Sequence, residues 1–154
     1  MRGMSSIVKD IARITVWLIL LYGVYIAFHG HLSPGGGFTG GVIIALAFVL
    51  LVLAYGRAEA ERRVKEELSH TLEAVGMGLF LIGGIFALIF TGYFLSNWLF
   101  LKKLSMPQAA PFELLTSSGV IMPYNLSIAL KVGMGLFVMF VALAGLRVSG
   151  RVKK

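Results

Sequence analysis

The sequence predicts an all-α membrane protein: four transmembrane helices with a Pro/Gly-rich turn between helices 1 and 2. Two observations carry this. Of 154 residues, 58% are hydrophobic and only 14% charged, with a mean hydropathy of +0.88, whereas soluble domains carry about 25% charged residues. Second, the 43 residues from Ile14 to Gly56 carry no fixed charge. A single helix of that length would be about twice as long as a bilayer crossing requires. The chain must therefore turn back, and His29-Gly-His-Leu-Ser-Pro-Gly-Gly-Gly-Phe-Thr-Gly-Gly41 holds the only breaker in the run. Pro34 lacks a backbone donor and pushes its predecessor away from helical geometry. Glycines 35–37 admit backbone angles that other residues resist.

Residues 1–154 read as one four-span domain. A basic lead-in (Arg2, Lys9, Asp10, Arg13) precedes span one, 11–28. That span is apolar enough for a signal peptide, but a turn and a second helix follow it rather than a cleavage site. Span two is 38–55, where Gly37, Gly41 and Ala45 fall four apart, a small-residue strip that lets another helix approach closely. Residues 57–73 are rich in charge, with Glu59/Arg63, Glu61/Lys65 and Arg62/Glu66 at helical spacing. They read as a solvated helical link, with a docking surface for a soluble partner as the alternative. Span three is 72–95, within 28 uncharged residues between Glu73 and Lys102, and Gly76, Gly83 and Gly84 invite close packing. Pro107, Pro111 and Pro123 break the 96–124 connection, and span four is 124–146. Val75-Gly-Met-Gly-Leu-Phe80 recurs as Val132-Gly-Met-Gly-Leu-Phe137 without extending further, which reads as chance.

Charge gives orientation and narrows function. Eleven Lys and Arg fall in the N-terminus, the link and the tail, against Lys102 and Lys103 on the other side. The positive-inside rule then predicts a multi-pass cell-membrane protein with both termini cytoplasmic. The net charge of +7 is explained by those segments rather than by nucleic-acid binding. All seven carboxylates fall outside the spans or at their edges. With no buried acid, the chain is not expected to move cations alone. No nucleophile constellation is visible, so no catalytic site is expected. There is no cysteine, and His29 and His31 have no carboxylate nearby in sequence, so no metal site or cofactor is expected.

Lys131 is the one ionisable residue well inside a span. It either snorkels to the interface or faces a polar path or a neighbouring subunit's carboxylate. The glycine-rich turn has three readings. A phosphate cradle lacks the required GK[ST]; a cation could be held by carbonyls with Ser33 and Thr39; or the turn is a structural corner. The ion-path candidates are Lys131, His29 and His31. The turn and packing residues are Pro34, Gly35, Gly36, Gly37, Phe38, Gly40 and Gly41.

The pattern Gly30-His31-x-x-Pro34-Gly35-Gly36-Gly37-Phe38-x-Gly40-Gly41 resembles the signature of the B subunit of Mrp (Mnh) multisubunit sodium/proton antiporters. The same four-helix module resembles components of archaeal membrane-bound hydrogenases and related sulfur-reductase complexes. The likeness extends over nearly the whole chain and includes a lysine early in helix four followed by Val132-Gly133. It implies a non-catalytic subunit contributing to ion translocation and complex assembly, among small and large antiporter subunits in lipid. Hydrogenase or reductase subunits are further implied partners, with Na+ and H+ the transported ions. The alternatives are a purely structural assembly scaffold without its own part in ion passage, and a stand-alone transporter or lipid enzyme.

Overall fold

A computed structural model describes residues 4–32, 34–56, 66–97 and 118–152. Four helices account for almost all of them: α1 (Ser6–Phe28), α2 (Gly36–Tyr55), α3 (Glu66–Thr91) and α4 (Ile121–Val152). There is no strand among the described residues. Each helix contains a stretch long and apolar enough to cross a membrane. Helices satisfy their own backbone, which a hydrocarbon solvent demands. The expected link helix and its ion pairs at 57–65, and the proline-rich connection at 98–117, lie outside the described residues.

The helices lie in a row. α1 packs on α2, α2 on α4 and α4 on α3, with a lesser contact between α1 and α4. Glycine dictates this order. A Cβ at Gly41 would lie 2.8 Å from the carbonyl oxygen of Ala129 and 2.9 Å from Val132 Cβ, both on α4. Gly37 abuts the Asn125 backbone, and Ala45, next on the same strip, is buried. A second face of α2 meets α1: a Cβ at Gly40 would lie 2.9 Å from Ala27 Cβ and from the Gly23 carbonyl. Further along α2 and α4, Val52, Phe137 and Val141 form a small core with Phe48 and Phe140 against it. There the rings of Phe48 and Phe137 sit 5.4 Å apart.

The helix ends differ from the expected spans for local reasons. α2 begins at Gly36 rather than 38 because Gly35 (φ 101°) turns the chain in left-handed geometry, and the Thr39 N–H donates to the Gly35 carbonyl at 3.2 Å. α1 already starts at Ser6, ahead of 11, and the Tyr55 hydroxyl donates to the Lys9 carbonyl at 3.0 Å. α3 begins at Glu66 instead of 72 and ends at Thr91 instead of 95. Gly92, at φ 75°, stops it, and the Thr91 hydroxyl donates back to the Ala87 carbonyl at 2.8 Å. The chain then folds back so that the Phe94 ring covers Gly84. Gly84 thus receives its own following segment, while Gly76 and Gly83 receive α4. α4 starts at Ile121 instead of 124 because Pro123 falls in its first turn, where no donor is required. It also runs on past 146 to Val152. Asn97 joins the ends of the intervening connection: its amide donates to the Ser118 carbonyl at 2.8 Å and accepts from the Val120 N–H at 2.9 Å.

This packing makes a direct prediction. Gly41→Leu would force α2 from α4, and overpacking of that kind costs about 1–3 kcal/mol. Gly78 has no heavy atom within 4 Å of its Cβ position, so Gly78→Leu serves as the control. Thermal melting in detergent should show a lowered midpoint for the first variant and little change for the second.

Candidate functional site

Two places in the row gather the polar side chains the sequence singled out. The first is the corner between α1 and α2. His29 caps α1: its backbone N–H donates to the Tyr25 carbonyl at 3.0 Å, and ring Nδ1 lies 3.0 Å from the same oxygen. Its ring stacks on Tyr25 with centroids 4.1 Å apart. The Leu32 N–H donates to the His29 carbonyl at 2.9 Å, which closes the turn that carries His31. Pro34 and Phe38 point outward, whereas Gly37, Gly40 and Gly41 are buried.

What fills the corner is Asn125 of α4, a residue the sequence offered only as one of its three amide side chains, with Asn97 and Gln108. The Gly37 N–H donates to Asn125 Oδ1 at 3.4 Å. A Cβ at Gly30 would lie 2.6 Å from Asn125 Nδ2, and one at Gly36 would lie 3.2 Å from Oδ1. Nδ2 itself is buried and has no hydrogen-bond partner among the described residues. The run of glycines is therefore matched to a side chain 88 residues away in sequence. Gly37, Gly40 and Gly41 are thus taken up against neighbouring helices, while Gly35 stays exposed. Among the described residues, no three His, Cys, Asp or Glu side chains converge on a point that could hold a metal ion.

The second place is the α3/α4 seam. Lys131 reaches it from α4: a Cβ at Gly76 of α3 would lie 2.8 Å from the Lys131 backbone nitrogen and 2.9 Å from the Ser127 carbonyl. The lysine side chain is exposed beside a shallow apolar cavity of about 150 Å³ formed by Gly76, Met77, Phe80, Ser127 and Ile128. Two turns toward the corner, the Tyr124 ring covers Gly83 and tilts against Phe80 at 5.4 Å. Lys131 follows Ala129, which meets Gly41, so it stands about 8 Å below the corner end of α2. The corner histidines lie at the α1/α2 junction, so the three ion-path candidates occupy two separate places.

Glu73 faces α4 from the early turns of α3. It was expected at the edge of a span, where the charged link ends. In the structure it lies within the span Glu67–Thr91, and its carboxylate rests against Gly135 of α4. A Cβ there would lie 2.9 Å from Oε1 and 3.3 Å from Cδ. Gly135 falls between Gly133, which meets Gly41 and Ile44, and Phe137, which meets Phe48. The carboxylate is therefore level with the middle of the 20-residue α2, roughly 15 Å from either end. Within its own candidate span Glu73 is the seventh residue, less than two turns from the start. The register of α3, set by Gly76 and Gly83 on α4, carries Glu73 inward. An early signal was available: Glu73 and Gly76 are three apart, and Lys131 and Gly135 four apart, so each charge has a glycine on its own helix face.

A 132-residue stretch of the chain is 34% identical to the uncharacterized protein MJ1307 of Methanocaldococcus jannaschii, covering 86% of this chain and 49% of that protein. The protein named "Putative antiporter subunit mnhB2" in Staphylococcus epidermidis is 42% identical over 55 residues, 36% of this chain and 39% of that protein. Its Staphylococcus aureus counterpart is 37% identical over 59 residues, 38% of this chain and 42% of that protein. The chain thus matches less than half the length of these curated relatives. Residues 7–138 match the family described as "Domain related to MnhB subunit of Na+/H+ antiporter". With four membrane-spanning helices and that match across most of its length, the chain belongs to the MnhB family.

Proposed function

We propose that this chain is a non-catalytic subunit of a multisubunit Na+/H+ antiporter module that takes part in ion passage as well as in assembly. The module is either a plain antiporter or the membrane arm of a hydrogenase-type respiratory complex. The observation that carries the reading is Lys131. It is the one Lys or Arg more than two turns from both ends of a described span, and its side chain is exposed on the α3/α4 seam. A charged side chain in that position is costly in lipid and belongs against a polar path or an opposite charge. His29 and His31, at the corner, are the accompanying candidates. We further propose that both termini are cytoplasmic, on the Lys/Arg asymmetry of the sequence. The corner then opens on the opposite side.

The extent of uncovered surface supports membership of a larger assembly. Only 17% of the α3 span is buried within the chain, against 39% for α2. Other small and large antiporter subunits are the proposed covering, with lipid over the rest.

The direct test is Lys131→Ala in the assembled complex. Sodium/proton exchange in vesicles should fall severalfold while the subunit composition is unchanged; full exchange by an intact complex would remove Lys131 from the path. The scaffold reading is tested by Gly36→Leu, which puts a side chain at φ 53° and a Cβ 3.2 Å from Asn125 Oδ1. Loss of partner subunits, with this chain still present in the membrane, would favour a scaffold. An intact but inactive complex would favour ion passage.

A further inference from the structure

We propose that the flank of the α3/α4 seam beside Lys131 is a docking surface for a membrane helix of a neighbouring subunit, one that carries an Asp or Glu to pair with the Lys131 ammonium. This rests on the antiporter-subunit reading and names the partner of its central residue. Lys131 is exposed, and no hydrogen bond or ion pair engages it among the described residues. An ammonium within a membrane span is costly in hydrocarbon and needs an anion beside it.

Depth decides which anion. α2, with 20 residues, is about 30 Å long, the thickness of the hydrocarbon core. Lys131 stands about 8 Å below its corner end. A fully extended lysine spans about 6 Å from Cα to Nζ, so snorkelling leaves the ammonium about 2 Å inside the core. Headgroup phosphates lie roughly 5 Å outside the core, which leaves a gap of about 7 Å. An ion pair needs about 4 Å or less. A phosphate would have to be drawn inward with its water, whereas a carboxylate on a neighbouring helix is already at that depth.

The flank also suits a helix better than lipid chains alone. Met77, half exposed on α3, lines the hollow of about 150 Å³ next to Lys131. Ala74, Met77 and Gly78 share one face by helical spacing. Ala74 is exposed, and a Cβ at Gly78 would meet nothing within 4 Å. Small residues four apart let a second backbone come close in lipid. The glycines of α3 that α4 occupies are Gly76 and Gly83, so Ala74 and Gly78 are left for another helix. α3 is the least buried of the four spans, at 17%. The hollow receives the partner's acidic side chain, and the small residues receive its backbone.

The test uses the assembled complex in its own membrane and does not read exchange, so its failure is distinct from a failure of Lys131 in ion passage. Dicyclohexylcarbodiimide joins a carboxyl to an adjacent amine. The carboxyl oxygen adds to the carbodiimide carbon, the amine displaces dicyclohexylurea, and an amide remains. The expected product is an amide between Lys131 and an Asp or Glu in a membrane span of another subunit. It is absent in Lys131→Arg, which keeps the charge without the reactive amine. Gly78→Leu should lower the amide yield severalfold by holding the partner helix off, although it leaves the melting of the isolated chain unchanged. Photo-methionine at Met77 reports the covering independently of charge, and should capture a peptide from the same span. An amide to an acid of this chain, no amide in the unsubstituted complex, an equal yield in Gly78→Leu, or Met77 adducts to lipid alone would each overturn the proposal.

Discussion

The contact on which the fold depends is the backbone-to-backbone approach of α2 and α4 at Gly37 and Gly41. Lipid is as apolar as leucine, so burying leucines gives helices no reason to associate within it. Association must come from dispersion at close range and from polar groups that find each other. Glycine supplies the first by allowing carbonyl and Cα atoms of α4 to meet α2 directly. Asn125 supplies the second, accepting the Gly37 N–H at the corner end of the same contact. Because α2 also offers Gly40 to α1, it is the helix that holds the row together, and it is the most buried of the four spans.

The absence of side chains does more than shorten helix–helix distances. On the seam, Gly76 admits the Lys131 backbone and Gly135 admits the Glu73 carboxylate. A larger residue at either position would push the neighbouring helix and its ionisable group away. The glycines of α3 and α4 thus determine where two charges sit, and the echo of Val75-Gly-Met-Gly-Leu-Phe80 in Val132-Gly-Met-Gly-Leu-Phe137 contributes to this unequally. Gly76 and Gly135 serve the seam, Gly133 serves α2, and Gly78 touches nothing. A true structural repeat would use equivalent glycines in equivalent ways, and these are not.

Much of the architecture was legible in the sequence because it depends on length and charge alone. Long uncharged runs of apolar residues can do little except span. The strip of Gly37, Gly41 and Ala45 was legible too, since it follows from helical spacing. What the sequence concealed depended on contacts distant along the chain. Asn125 looked like an isolated amide, and only the fold brings it to Gly30, Gly36 and Gly37. Gly84 looked like a packing face for another helix, but Gly92 ends α3 early enough for Phe94 to return to it. Glu73 looked like the last residue of a wet link because charges cluster before it. Its contact with Gly135 follows from the register between two helices.

The two charges lie on either side of the least supported contact in the row. α1, α2 and α4 brace one another, whereas the only described helix on which α3 packs extensively is α4, with most of the α3 surface uncovered within the chain. Local stability follows buried contact, and elements held by a single face open at lower free energy than those held by several. A small slide of α3 along α4 would leave the α1–α2–α4 block intact. It would carry Glu73 off Gly135 and alter its separation from Lys131, because each charge belongs to a different helix. Electrostatic interaction in a medium of low dielectric changes steeply over a few ångströms. The uncovered faces of α3 are also where a neighbouring subunit would bear on it. The seam therefore carries one charge on each side, Glu73 on the tethered helix and Lys131 on the braced block.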